Sequence, residues 1–198
     1  TGASPVLPPI PGSDLNNIVP LRTVSDADRI KNIIDNDGLN RAVIVGAGLI
    51  GLEMAESFSE AGLEVAVVEK LPSVLPIISD DMSEIVEDHL KENNVDLILD
   101  DGVSKFEEKN KVESVITESG KEIPADIVLM AIGESPNVEL AKKAGIELGE
   151  TGAIAVNEKM ETSIDHIYAA GDCAESKDVI TGNAAWVPLG STANKQGR

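Results

Sequence analysis

The sequence predicts an α/β fold: a parallel sheet with helices on both faces and an antiparallel meander inserted before its last strand. Three observations predict it. Short β-rich runs alternate with segments of helical period between Arg41 and Leu99, the pattern of successive βαβ units. The period switches to two between Val103 and Ile116, with turn residues at Lys109-Asn110 and Ser119-Gly120, as in hairpins. Aromatic residues are scarce, at 2% of the chain (Phe58, Phe106, Tyr168 and Trp186). The core is therefore aliphatic, which suits Val, Ile and Ala strands buried on both faces.

The opening, Thr1 to Pro20, is rich in proline, has no period and reads as an extended segment or linker. Ser25 then caps a short helix with acids in its first turn, with Ala27, Ile30, Ile33 and Ile34 on one face and Asp37-Gly38 as its end. Arg41 to Val45 is a strand, followed by a glycine-rich turn and a helix from Leu49 to Ala61 that Gly62 stops. Glu64 to Glu69 is the next strand. Ser79 caps another helix, with Asp80 and Asp81 at its positive end and Met82, Ile85, Val86, His89 and Leu90 as its buried face. Val95 to Leu99 is a third strand, the meander follows, and Asp126 to Ile132 closes the sheet. Pro136-Asn137 starts a short helix ending near Gly145, and two more strands lie around Ala153 to Val156 and Ile167 to Ala170.

With 16 basic against 35 acidic residues the net charge is −19. A surface this acidic repels nucleic acid and anionic membranes, so neither is expected as a partner. The longest apolar run, Ala42 to Leu52, is far short of the roughly 20 residues that span a bilayer. A single cysteine, Cys173, excludes an internal disulfide and fits a reducing cytoplasm. The chain begins with Thr1-Gly2 rather than Met and stops at Gln196-Gly197-Arg198, so it reads as an excised piece.

The strongest chemical signal is Gly46-Ala47-Gly48-Leu49-Ile50-Gly51. GxGxxG alone is weak evidence, but here a strand precedes it, a helix follows, and a second strand ends in an acid. Gly46 allows the tight turn, Gly48 lets a pyrophosphate approach the backbone, and Gly51 lets the helix pack closely on the strand. The amides and partial positive charge of the helix N-terminus then hold the anion. This is a Rossmann-type dinucleotide site. Glu69, at the end of the second strand, is placed to accept hydrogen bonds from the adenosine ribose hydroxyls. It also disfavours a 2′-phosphate. A unit-charge repulsion at about 4 Å is worth roughly 4 kcal/mol at an effective dielectric near 20. A quarter of that, about 1 kcal/mol, survives exposure and salt and equals about fivefold in affinity. NADH is thus favoured over NADPH, with the adjacent Lys70 a partial offset. Cys173 stands alone between small residues and an acid and reads as a packed residue, not a redox thiol. His89 on the buried stripe and His166 in a loop form no cluster at ligand spacing, so no metal site is expected.

The run Thr162-Ser163-Ile164-Asp165-His166-Ile167-Tyr168-Ala169-Ala170-Gly171-Asp172 resembles the second FAD-contacting motif of the pyridine nucleotide-disulfide oxidoreductases. There the aspartate, here Asp172, binds the flavin ribityl chain. Ala131-Ile132-Gly133 followed by Ser135-Pro136-Asn137 resembles the exit from the NAD domain, and Thr1-Gly2-Ala3-Ser4-Pro5 the crossover from the first FAD segment. The tail from Pro188 to Arg198 resembles the coenzyme A-disulfide reductase and NADH oxidase branch, in which its backbone lies against the flavin ring. Motif and resemblance together imply NAD contacts at Gly46, Ala47, Gly48, Leu49, Ile50, Gly51, Glu53, Glu69, Lys70 and Gly133. They imply FAD contacts at Thr1, Gly2, Gly171, Asp172, Leu189, Ser191, Thr192 and Ala193. Glu53 matches a family glutamate near the nicotinamide carboxamide. Family members often carry a flavin-covering tyrosine where Leu49 stands, so shielding here is by apolar bulk alone.

The resemblance implies three parts: a crossover segment of a FAD-binding domain at 1–23, an NAD(H)-binding Rossmann domain at 24–133, and a second, incomplete FAD-domain segment at 134–198. The parent enzyme passes a hydride from NADH to FAD and on to a disulfide, such as coenzyme A disulfide, or to oxygen. Its reactive cysteine lies outside this chain, which has no catalytic residue of its own, and the parent is a homodimer through a domain absent here. Alternatives are a reductase passing electrons to a small redox protein and a non-enzymatic NAD sensor. Gly171-Asp172 is superfluous in the sensor.

Overall fold

A computed structural model describes residues 1–108 and 111–198 of the chain. The chain divides into two units, one of Pro5–Gly133 and one of Thr1–Ser4 with Glu134–Arg198. The elements in chain order are β1 (Ala3–Pro5), β2 (Ile18–Pro20), α1 (Val24–Asp37), β3 (Arg41–Val45), α2 (Leu49–Glu60), β4 (Glu64–Val68), α3 (Asp80–Glu92), β5 (Asp96–Ile98), β6 (Val103–Glu108), β7 (Val112–Thr117), β8 (Glu122–Pro124), β9 (Ile127–Met130), β10 (Glu134–Pro136), α4 (Glu139–Lys143), β11 (Ser176–Lys177), β12 (Ala184–Ala185) and α5 (Gly190–Gln196).

In the larger unit the strand order is β2-β9-β3-β4-β5, and every pairing in it is parallel. Alternation along each strand divides its side chains between the two faces of the sheet. Ala42 and Ile44 of β3, Val65 and Val67 of β4, and Ile127 and Leu129 of β9 point to one face. There they meet Ile30 of α1, Ala55 and Phe58 of α2 and Leu90 of α3. Phe58 is fully buried, which is worth about 1.5–3 kcal/mol. Val43, Val45, Ala66, Val68, Val128 and Met130 point to the other face and meet Phe106, Val112, Val115 and Ile123. These belong to the antiparallel sheet β6-β7-β8. The α/β class holds, but helices do not cover both faces. All three helices of this unit share one face, and the meander seals the other with its own apolar side. A sheet face needs apolar cover, and a sheet serves as well as a helix layer.

Other sequence expectations shift for local reasons. The opening is not simply a linker: Ile18–Pro20 is the edge strand of the parallel sheet, with Val19 paired to Leu129, so the sheet extends ahead of Val24. The cap of α1 is Thr23, not Ser25. Its Oγ1 accepts from Asp26 N–H at 3.2 Å while Asp26 Oδ2 accepts from Thr23 N–H at 2.7 Å, a reciprocal capping box. On α3, Ser83 and Leu90 are buried whereas Met82, Ile85 and His89 are exposed. The helix is turned because the Ser83 hydroxyl donates to Val74 O at 2.8 Å, fixing that position inward. The Lys109-Asn110 turn lies outside the described residues.

In the smaller unit α4 begins at Glu139, two residues past Asn137, because Pro136 is held in β10, which pairs with β1. The two strands expected around Ala153 to Val156 and Ile167 to Ala170 shrink to isolated bridges, two at Ile154 and one at Tyr168. Val138, Ala141, Ile154 and Cys173 form this unit's small core, too few apolar positions to bury a ladder. No helix among the described residues is long and apolar enough to cross a membrane.

Candidate functional site

The glycine loop joins β3 to α2 at the C-terminal edge of the parallel sheet. Gly46 has φ 105°, and a Cβ there would lie 2.4 Å from Ala131 O. The position is closed to any side chain by conformation and by contact. At Gly51 a Cβ would lie 2.0 Å from Gly46 O and 3.3 Å from Ile44 Cγ2, so its absence sets the approach of helix to strand. Gly48 differs from both: an added Cβ meets nothing within 4 Å. Space is left open where the backbone caps α2. The first bond across the cap runs from Leu52 N–H to Gly48 O at 3.0 Å. Amides ahead of it have no partner within the helix and, with the helix dipole, favour an anion. Gly46 and Gly51 thus sit where only glycine fits, and Gly48 leaves open space at the start of α2.

Glu69 follows β4 and is half-buried. One carboxylate oxygen accepts from Ala47 N–H at 2.7 Å and the other from Leu71 N–H at 2.8 Å. The acid therefore braces the glycine loop. A carboxylate has about four acceptor sites, so two backbone bonds leave about two free for a ligand's hydroxyls. The loop is held from a second side by Leu75 N–H, which donates to Ala47 O at 3.0 Å. Ala47 is fully buried, whereas Leu49 and Ile50 are 47% and 40% exposed at the helix start. Exposed Glu53 lies on the wall of a cleft of about 450 Å³ together with Leu49, Leu52, Leu75, Val86 and His89. Gly133, with φ 118°, ends the unit, and its carbonyl accepts from Val6 N–H at 2.9 Å. A larger hollow of about 680 Å³ beside Asn17 and Arg29 lies at the opposite end of the strands, away from the loop.

Lys70, read in the sequence as a partial offset to Glu69, is engaged elsewhere as well. Its ammonium sits 2.8 Å from Glu118 Oε1, and that hydrogen bond holds its pKa above the ordinary lysine value. Glu118, at the end of the meander, was not singled out in the sequence, because no local spacing links it to Lys70.

In the smaller unit the FAD-motif residues fall into two groups. Thr1 and Gly2 are latched by Asn137: Thr1 Oγ1 donates to Asn137 O at 2.8 Å, Asn137 Nδ2 donates to Thr1 O at 2.9 Å, and Asn137 N–H donates to Gly2 O at 2.9 Å. Gly171 and Asp172 lie beside the tail. Gly171 N–H donates to Gln196 Oε1 at 2.8 Å, and a Cβ on Gly171 would lie 3.7 Å from Ala193 Cβ. The Trp186 indole donates to Asp172 O at 2.8 Å. Leu189 caps α5, which carries Ser191, Thr192 and Ala193, so the tail is helical there. Cys173 is buried beside Val138, Ala141 and Ile154. No group of His, Cys, Asp or Glu among the described residues is arranged to hold a metal.

The family model of the pyridine nucleotide-disulphide oxidoreductases matches residues 1–197. The chain is 47% identical over 199 residues to an NADH oxidase of Methanocaldococcus jannaschii, covering 100% of this chain and 44% of the relative. It is 44% identical over 197 residues to an NAD(P)H sulfur oxidoreductase (CoA-dependent) of Pyrococcus abyssi, covering 99% and 44%. The chain therefore spans less than half the length of the curated relatives it matches. Among solved structures, an NAD-dependent persulfide reductase from A. fulgidus superimposes with a TM-score of 0.96 at 42% identity, covering 100% of this chain and 36% of that one. Putidaredoxin reductase in covalent complex with putidaredoxin gives 0.90 at 32% identity, covering 99% and 48%.

Proposed function

The chain belongs to the pyridine nucleotide-disulphide oxidoreductase family, and from that premise we propose that Pro5–Gly133 is its NADH-binding unit. The observation that carries the reading is the joined geometry of loop and acid. Open space at Gly48 faces the start of α2, and Glu69 is fixed to the same loop through Ala47 N–H at 2.7 Å. The amides of Gly48, Leu49, Ile50 and Gly51 hold the pyrophosphate with the helix dipole, on a loop shaped by Gly46 and Ala47, whose own amides are taken by Val68 O and Glu69. Glu69 takes the ribose hydroxyls, and Leu49, Glu53 and Gly133 border the nicotinamide end. Thr1, Gly2, Gly171, Asp172 and the residues from Leu189 to Ala193 are proposed contacts to FAD.

When bound, nicotinamide supplies a hydride and flavin accepts its electron pair for delivery to a disulfide, a persulfide or oxygen. The work of this chain is placement: it neutralises the pyrophosphate, orients the ribose and excludes water with Leu49 and Ile50. The names of the relatives favour an NADH oxidase or a coenzyme A-linked sulfur reductase. A second reading, electron delivery to a small redox protein, has its support in the likeness to putidaredoxin reductase. We further propose that the parent enzyme acts as a homodimer.

Calorimetric titration of the chain with NADH tests the reading. Saturable binding is expected, and an absence of heat up to about millimolar NADH, roughly −4 kcal/mol of binding free energy, defeats it.

A further inference from the structure

The ribose edge of the site is built by more of the chain than the βαβ unit. The segment after β5 runs alongside the residues that leave β4: Asp101 N–H donates to Glu69 O at 3.1 Å and Asp100 N–H donates to Leu71 O at 3.0 Å. The meander is tied to that segment in turn. Glu118 N–H donates to Gly102 O at 2.7 Å, and Asp101 accepts from Ser119 N–H at 3.0 Å and from Ser119 Oγ at 2.6 Å. Buried Gly102 leaves space that the Glu118 carboxylate fills, since a Cβ at Gly102 would lie 2.7 Å from Glu118 Oε1. The Glu118 carboxylate thus lies against Gly102. It meets Lys70 Nζ at 2.8 Å.

Resting on the reading of this unit as a dinucleotide site, we infer that Glu118 is a specificity-determining residue: it occupies the Lys70 ammonium and so withholds that cation from a 2′-phosphate. Dinucleotide folds accept NADP when a cation beside the ribose accommodates the extra phosphate. Lys70, next to the ribose acid, stands at that place. Its charge is cancelled by a carboxylate in direct contact, and a phosphate dianion approaching the ribose meets a neutral pair flanked by Glu69, Asp100 and Asp101. Discrimination against NADPH is thus shared between Glu69 and an acid 49 positions later in the sequence. An exposed ion pair adds little to stability, and Glu118→Gln keeps the shape, so the variant is expected to fold.

The test is titration of the chain with NADH and with NADPH at low ionic strength. It compares the parent, Glu118→Gln, Lys70→Met and the double variant. Glu118→Gln is expected to tighten NADPH by about fivefold, the effect of one partly screened unit charge, and to leave NADH within about twofold. The gain is expected to vanish in the double variant and to fade as salt is raised. An unchanged NADPH-to-NADH ratio in Glu118→Gln overturns the inference, and so does a gain that persists without Lys70. Failure of the parent chain to bind NADH overturns the underlying nucleotide reading, and the parent titration shows that outcome separately.

Discussion

Replacing Glu69 separates two roles, its brace on the glycine loop and its proposed contact to the ribose. Its carboxylate accepts from the amides of Ala47 and Leu71 at 2.7 and 2.8 Å. Ala47 is fully buried whereas Leu71 is 45% exposed. In Glu69→Ala the Leu71 amide turns to water at small cost, but the Ala47 amide is stranded. A buried donor without a partner costs about 1–3 kcal/mol, so the nucleotide-free chain is expected to lose about 2 kcal/mol. For a chain of this size that is a fall of about 4–8 °C in Tm. Glu69→Gln keeps one acceptor and should lose about half as much. The assay is thermal unfolding of each variant without nucleotide, followed by NADH and NADPH titration at a temperature where all are folded. Glu69→Ala should also narrow the NADH preference by about fivefold, the value of about 1 kcal/mol of lost repulsion, and Glu69→Arg should reverse it. If nucleotide-free Glu69→Ala melts within about 1 °C of the parent, the brace between acid and glycine loop is refuted. If discrimination is unchanged in both Glu69→Ala and Glu69→Arg, the ribose assignment is refuted.

The glycines allow a paired test. Gly48→Ala has allowed backbone angles and open space, so stability should fall by no more than about 1 kcal/mol, the difference between glycine and alanine at a helix N-cap, while NADH affinity falls at least about tenfold, or about 1.4 kcal/mol. Gly46→Ala, with φ 105° and a contact at 2.4 Å, should instead cost about 3 kcal/mol or more, read by urea unfolding. At the start of α1, Thr23→Ala should cost about 1 kcal/mol at neutral pH. Hydrogen bonds from the Thr23 backbone N–H and, next, from its hydroxyl hold the Asp26 carboxyl below its ordinary pKa, and of these only the hydroxyl bond, at 2.9 Å, is removed in Thr23→Ala. Its stabilisation is therefore present above about pH 4 and lost as pH falls through the lowered value, so the gap between parent and Thr23→Ala should shrink in acid unfolding curves. Finally, the sequence holds one GxGxxG loop, and a pyrophosphate at a helix N-terminus is a principal anchor of a dinucleotide. The chain should therefore purify colourless, and one equivalent of flavin absorbance would show that this loop serves FAD instead.

What the sequence determined by itself is local. The turn at Gly46 and the tight packing at Gly51 are backbone demands that only glycine meets, so they are written where they act, and Gly48 leaves an open cap between them. The alternation in β3, β4 and β9 likewise declared strands buried on both faces, because side chains of period two must find cover on each side. Tertiary structure decided who supplies that cover. Apolar alternation states that a face is buried, not what buries it, so the meander rather than a helix layer behind the sheet was legible only in the packing of Phe106 and Val115. The same holds for Ile18–Pro20, a strand too short for a period to register, which becomes one through its pairing with Val128, Leu129 and Met130. It holds most plainly for Lys70. Its charge was visible at once, but electrostatic availability depends on distance to the nearest opposite charge. That charge, Glu118, arrives at 2.8 Å only after the meander folds back against the end of β4.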